Sequence, residues 1–154
     1  MAYTNYASNS TSIGDDSVIL TNTGHEYINT LYPKLVRGWN GMGYSYTKIN
    51  KPTNKQQLFS VQLADGRSLK CSLSTEFIVG ENGESMSLND LIMKKRTKKI
   101  PKIYVYTNIA MRTDCFDYIE MLSVKLTNEV CNYCITTIDS NHRAFINDIM
   151  IRCW

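Results

Sequence analysis

The sequence has three prolines and two histidines in 154 residues, and no apolar run approaches the roughly 20 residues that a membrane-spanning helix needs. So little proline, with 43% apolar and 20% charged residues, fits one globular domain that buries about two-thirds of its unfolded surface. Residues 1–14 carry no charge and no apolar stretch of the signal-peptide kind, so neither membrane insertion nor secretion is expected. A disulfide framework is equally absent: the five cysteines are odd in number and unevenly spaced, which points to reduced thiols in a cytosolic setting. Cys131-Asn-Tyr-Cys134 has C-x-x-C spacing but lacks the second ligand pair of a zinc site, since His142 has no histidine partner at the right distance. A redox reading fails too, because that motif lies in the β-rich run Val130–Ile138 rather than at the opening of a helix. No metal and no cofactor is expected.

Charge is scarce outside one place. The net charge is +3, yet residues 94–99 (Lys-Lys-Arg-Thr-Lys-Lys) hold five of the 17 basic residues, and the other twelve are outnumbered by 14 acidic ones. A nucleic-acid surface needs basic residues spread over a face and interleaved with aromatics. The run therefore reads as an exposed basic loop, with no nucleic-acid partner expected.

What is present is a succession of short extended segments. Val18–Thr21 is a strand closed by a Gly24 turn, and Tyr27-Ile28 leads into a short helical turn or strand that ends near Pro33. Leu58–Leu63 alternates apolar and polar, Ala64-Asp65-Gly66 is a tight turn, and Ser68–Cys71 resumes the strand, which makes the best hairpin in the chain. Phe77–Val79, Ile103–Tyr106, Tyr118–Leu126, Tyr133–Ile138 and Ala144–Ile151 are rich in β-branched and aromatic residues, with a brief amphipathic stretch at Ser87–Ile92. With no long segment of helical period, about nine to twelve short strands predict an all-β fold with a curved or closed sheet.

Four segments, taken in order, resemble the Hint (Hedgehog/intein) domain, the protein-splicing fold of inteins. Ser12–Gly24 looks like the opening of an intein: a nucleophile, a short acidic link, a strand and a glycine turn. Val61–Val79 is similar to the segment whose hairpin delivers a Thr-x-x-His pair to the N-terminal junction. Tyr133–Phe145 looks like the strand pair that carries an Asp or Cys followed by Asn-His. Ile146–Trp154 sits where inteins end with Asn-Gly, apolar residues and His-Asn before a downstream nucleophile. The resemblance implies a horseshoe of β-hairpins with both termini near one central cleft. Residues 1–11 become a flank of the host protein or other added segment, 12–152 the domain, and 153–154 the C-terminal junction. Only residues 93–117 fill the gap where larger inteins carry a homing endonuclease, so none is expected. The implied partners are the chain's own flanking host sequences, the implied state is a monomer, and the location is the cytoplasm or that of the host protein.

Splicing in that family runs through an acyl shift at the first residue, transesterification, cyclisation of a terminal asparagine and a return shift. Each step gains rate from held geometry, with effective molarities on the order of 10⁵ M or more. Ser12 occupies the first-nucleophile position, although a hydroxyl is a poorer nucleophile than a thiolate. Ser72 and Thr75 stand at the activating pair. Thr75 replaces histidine, and a hydroxyl cannot serve as the general acid whose contribution is typically 10²–10⁴-fold. Cys134 matches the Asp-or-Cys position and is a second candidate nucleophile, as in inteins that lack the first. His142 matches the histidine of that segment, whereas His25 reads as a surface residue in a turn. Arg152 stands where the family has histidine, and Cys153 where it has the cyclising asparagine. Cysteine has no side-chain amide and forms no succinimide. These departures make complete splicing impaired, by natural decay or by design. The alternative is a non-catalytic β-barrel interaction module; a polymerase fragment suggested by Gly14-Asp15-Asp16 lacks the further acidic motifs and helical palm it would need.

Overall fold

The structure is a computed structural model that describes residues 11–80, 83–96, 103–106, 116–138 and 142–153. In chain order its elements are β1 (Thr11–Ile13), β2 (Val18–Thr21), β3 (Gly24–Tyr27), α1 (Ile28–Leu31), β4 (Leu35–Trp39), β5 (Tyr44–Asn50), β6 (Gln57–Leu63), β7 (Ser68–Cys71), β8 (Glu76–Ile78), β9 (Ser85–Ser87), α2 (Leu88–Arg96), β10 (Ile103–Tyr106), β11 (Phe116–Ile119), β12 (Met121–Val130), β13 (Tyr133–Thr137), β14 (Arg143–Ile146) and β15 (Ile149–Arg152). The strands join one sheet in the order β11-β10-β15-β14-β2-β4-β5-β13-β1-β7-β6-β12, with β3 added to β2, β8 to β15, and β9 to β8. The all-β expectation holds, with fifteen strands among the described residues rather than about nine to twelve.

Two hairpins show how local chemistry sets the path. Between β6 and β7, Gly66 has φ +94°, the left-handed conformation that lets Asp65-Gly66 reverse the chain at little cost. Between β14 and β15, Asn147 and Asp148 both have positive φ, 53° and 59°, and Ile146 pairs with Ile149 across this two-residue loop. A pair of positive-φ residues matches the twist of the flanking strands, and Asn and Asp tolerate it best after glycine. The expected single strand Ala144–Ile151 is therefore a hairpin. The expected strand Tyr118–Leu126 is likewise divided at Glu120 between β11 and β12.

The core is aliphatic with two phenylalanines. Ile13, Ile19, Ile49, Phe77, Phe145 and Ile151 are all fully buried, and each contributes about 1.5–3 kcal/mol by leaving water. The basic run is not a simple loop: Lys94, Lys95 and Arg96 lie in α2, and residues 97–99 fall outside the described residues. No described helix is long and apolar enough to cross a membrane.

Candidate functional site

Thr11, the last residue of the expected flank, already belongs to β1, and Ser12 follows it in the middle of that strand. β1 lies between β13 and β7, with Ser12 opposite Cys134 and Ile13 opposite Cys71. The next residue must be glycine, because a Cβ on Gly14 would stand 2.9 Å from the Cβ of Lys70. This close approach lets the Gly14 N–H donate to the Lys70 carbonyl at 2.9 Å.

Beyond β7 the chain turns tightly, with the Thr75 N–H donating to the Ser72 carbonyl at 3.1 Å. The turn brings Ser72 and Thr75 onto β1 as expected. The Ser72 N–H donates to the Ser12 carbonyl at 3.1 Å, the Thr75 hydroxyl donates to the same oxygen at 3.3 Å, and the two side-chain oxygens are 3.1 Å apart. All three residues are 1% exposed, so the contacts are made without bulk water. The carbonyl they hold is that of Ser12, one residue downstream of the Thr11–Ser12 bond at the expected junction.

The other end of the domain arrives at the same place. The Thr11 hydroxyl donates to the Arg152 carbonyl at 2.8 Å. The Cys153 N–H donates to the His142 carbonyl at 2.7 Å, and the Thr137 hydroxyl donates to the Cys153 carbonyl at 2.5 Å. Thr137 Oγ1 also lies 3.1 Å from His142 Nδ1. Its single proton goes to the Cys153 carbonyl, so Nδ1 is the donor in that contact and carries a hydrogen. His142 has φ +52°, a conformation uncommon outside glycine, held by these contacts on both sides.

Two thiols and two guanidinium groups set the electrostatics. Burial pushes the Cys153 thiol up to about 12, with a hydrogen bond to the Thr11 side chain pulling the other way. Burial likewise pushes Cys71 up to about 12, opposed by a bond to Thr75. Arg152 faces Arg143 across the β14–β15 ladder and donates from Nη2 to the Gly83 carbonyl at 3.0 Å. The Arg143 guanidinium is held below its ordinary value by burial first and by the Arg152 charge second. An arginine pair is a source of positive potential, not of a proton at neutral pH.

Thus Ser12, Ser72, Thr75, Cys134, His142, Arg152 and Cys153 are drawn together by β1, β7, β13 and the ends of β14 and β15. Thr11 and Thr137 were missed by the sequence reading. Each lies in a β-favouring stretch where threonine is ordinary strand material, so its only signal is position: one directly precedes Ser12, the other lies three residues after Cys134. His25 is elsewhere; it is exposed as expected, but on β3, with Nε2 2.7 Å from Asp148 Oδ1. Cys131 accepts from the Gln56 N–H at 3.1 Å, Cys115 lies outside the described residues, and no group of three or more metal-ligating side chains occurs among the described residues.

The fold as a whole superimposes on solved inteins. The M86 variant of the Ssp DnaB mini-intein matches with a TM-score of 0.73 over 94% of this chain and 94% of that one, at 17% identity. The fold is the Hint fold of inteins. A DnaB intein from Synechocystis sp. PCC 6803 gives a TM-score of 0.72 over 94% of this chain and 99% of that one, at 17% identity, and the TvoVMA intein gives 0.69 over 92% and 96%, at 12%. Identity this low leaves the Hint fold as the shared property. No family model matches the sequence. One curated protein, the ribonucleoside-diphosphate reductase large subunit of Invertebrate iridescent virus 6, is 30% identical over 67 residues, which is 44% of this chain and 7% of that protein's length.

Proposed function

We propose that the chain is an intein: a self-processing domain that acts once, on its own two junctions, and whose complete splicing is impaired. The observation that supports this reading is the hydrogen bond from Thr11 to the Arg152 carbonyl, a contact between the two ends of a Hint fold. The partners are the flanking host sequences, and the 67-residue match to a viral reductase large subunit fits an intein seated in a host of that kind. The domain proper runs from Ser12 to Arg152.

In the first step Ser12 Oγ attacks the Thr11 carbonyl carbon. A C–O bond forms, the C–N bond of the peptide breaks, and the hydroxyl proton passes to the departing amine. The ester that results is open to thiols, hydroxylamine or a second nucleophile. Three features slow this step. The nucleophile is a hydroxyl. Thr75 offers no acid for the amine. The two donors in place are committed to the Ser12 carbonyl, whereas charge develops on the Thr11 oxygen; a missing oxyanion donor costs about 10²–10³-fold. Cys134, opposite Ser12 in the strand register, is the second candidate nucleophile for the same junction.

At the C-terminal side His142 is the proposed base, and the Thr137 hydroxyl orients its ring through Nδ1. Release there requires a side-chain amide to attack its own carbonyl, and Cys153 has none. The outcome is an N-terminal ester that forms slowly and a C-terminal junction that stays closed.

The test is a fusion with distinct proteins on both sides of residues 1–154, incubated with thiol or hydroxylamine and read by intact mass. Scission between Thr11 and Ser12 supports the reading, and Ser12→Cys with Thr75→His raises it. If that restored form also stays whole, the domain is a non-catalytic Hint module, a reading favoured by the Thr75, Arg152 and Cys153 replacements.

A further inference from the structure

The hydroxyls that reach the Ser12 carbonyl do not end at Ser72 and Thr75. Ser72 Oγ lies 3.1 Å from Thr75 Oγ1 on one side and 3.1 Å from Ser74 Oγ on the other, and Ser74 Oγ lies 3.1 Å from the side-chain amide of Gln56. With Thr75 Oγ1 3.3 Å from the Ser12 oxygen, four contacts in a row join Gln56 to Ser12. Gln56 is pinned by its backbone: its N–H donates to Cys131 Sγ at 3.1 Å, and its carbonyl accepts from the Cys131 N–H at 2.9 Å.

Three hydroxyls supply only three protons for those four contacts. With the Gln56 oxygen toward Ser74 the protons run outward, from Ser74 to Gln56, Ser72 to Ser74 and Thr75 to Ser72, and nothing bridges Thr75 and the Ser12 carbonyl. Keeping the Thr75 proton on that carbonyl instead leaves Ser72 and Thr75 as two facing oxygens with no proton between them. Both residues are 1% exposed, so bulk water does not fill the gap, and a bond left unmade in a buried place costs more than a made one contributes. A carboxamide presents oxygen or NH₂ in nearly the same outline, and the NH₂ supplies the fourth proton. We infer that Gln56 turns its NH₂ to Ser74 and starts a one-way chain of donors, through Ser74, Ser72 and Thr75, that ends on the Ser12 carbonyl, which makes Gln56 a positioning residue for the N-terminal junction. The held carbonyl is attached to the Cα that carries both the attacking Oγ and the departing nitrogen, so fixing it aims the nucleophile. The role in the reaction rests on the intein reading; the direction of the protons does not.

The test uses the full chain labelled with ¹³C and ¹⁵N, in which the Ser12 carbonyl carbon is read by magnetic resonance through the Ile13 N–H. A carbonyl carbon moves upfield when it loses a donor. Gln56→Glu, whose carboxylate only accepts, reverses the chain and draws the Thr75 proton to Ser72, so the Ser12 signal should move upfield. Adding Ser74→Ala to Gln56→Glu cuts the link, lets Ser72 and Thr75 donate inward again, and should bring the signal back; Ser74→Ala alone should leave it in place. Thiol-induced scission before Ser12 should fall roughly 2- to 10-fold in Gln56→Glu, the worth of one hydrogen bond, and recover in the double variant. In the wild type a Gln56 amide proton should show a nuclear Overhauser contact to the Ser74 β protons, which decides the matter even if Gln56→Glu does not fold. Absence of that contact, an unmoved Ser12 signal in folded Gln56→Glu, or a double variant as displaced as the single one would each overturn the chain. A moved signal with unchanged scission would overturn its role in positioning, whereas a moved signal in a chain that no thiol cuts would uphold the chain and remove the intein reading.

Discussion

The Thr11 hydroxyl and the Arg152 carbonyl, 141 residues apart in the chain, are joined by a hydrogen bond of 2.8 Å. Thr11 is 4% exposed and its side chain also meets the Cys153 thiol, so one residue ties both ends of the domain to one buried spot. Thr11→Val keeps the shape and removes the donor, which costs about 1–3 kcal/mol because the carbonyl stays buried. The expected result is a fall of roughly 2–12 °C in melting temperature, with most of it recovered in Thr11→Ser. An unchanged Thr11→Val melt would mean that the two ends are held by the strand ladders alone.

The choice between Ser12 and Cys134 as acceptor of the upstream acyl group is settled by two single variants. The two residues face each other on β1 and β13, and both are buried. Thiol-induced scission before residue 12 should vanish in Ser12→Ala and persist in Cys134→Ala. The reverse pattern would assign the attack to Cys134. A second expectation concerns the closed junction: Arg152→His with Cys153→Asn supplies the amide that cyclises. C-terminal scission should therefore appear only in that double variant, with the released domain lighter by one water than its hydrolysed form.

How far the sequence carries depends on whether the cause is local. The β6–β7 hairpin is legible because alternation on both strands and Asp65-Gly66 agree. β14–β15 is hidden because its turn is Asn147-Asp148, without the glycine that usually marks a positive-φ pair, so eight apolar-rich residues read as one strand. β1 is hidden for another reason. Three residues, Thr-Ser-Ile, have no pattern of their own and become a strand only by pairing with β13 and β7, more than 50 residues away in the chain. The same holds in the site. Ser12, Ser72, Thr75, His142 and Cys153 are visible only through the resemblance to intein segments, while Thr11 and Thr137 matter through a tertiary contact that no local signal records. What lies one residue off, the carbonyl that Ser72 and Thr75 hold, is a matter of strand register, which only the folded ladder fixes.

Asn147 makes a prediction about the hairpin that delivers Cys153. Its Oδ1 accepts from the Val18 N–H and its Nδ2 donates to the Ser68 carbonyl, both at 2.9 Å, while its own φ is positive. Asn147→Gly keeps the conformation and loses two bonds; Asn147→Ala loses the bonds and adds left-handed strain of about 1–2 kcal/mol. Chemical denaturation should therefore rank wild type above Asn147→Gly above Asn147→Ala. If the glycine variant matches wild type, the turn conformation alone positions β15.

The two thiols raised by burial give a pH dependence whose sign can be worked out. Cys71 and Cys153 have an ordinary value of 9.0 and stand at about 12 in the folded chain. A raised value means that the folded state keeps its proton where the unfolded state has lost it, so the stabilisation is complete below pH 9.0 and is lost as pH rises through about 12. The slope is roughly 1.4 kcal/mol per pH unit for each thiol inside that window. Unfolding free energies measured at about pH 8 and about pH 10.5 should differ accordingly, and Cys71→Ala should remove one thiol's share of the difference. The same protonation bears on function: a neutral, enclosed Cys153 is a weak nucleophile, so a thiol-specific reagent near neutral pH should label it only at the rate of unfolding. Labelling of the native protein faster than unfolding would show that the junction opens on its own, and would make Cys153 available to the Thr11 carbonyl after all.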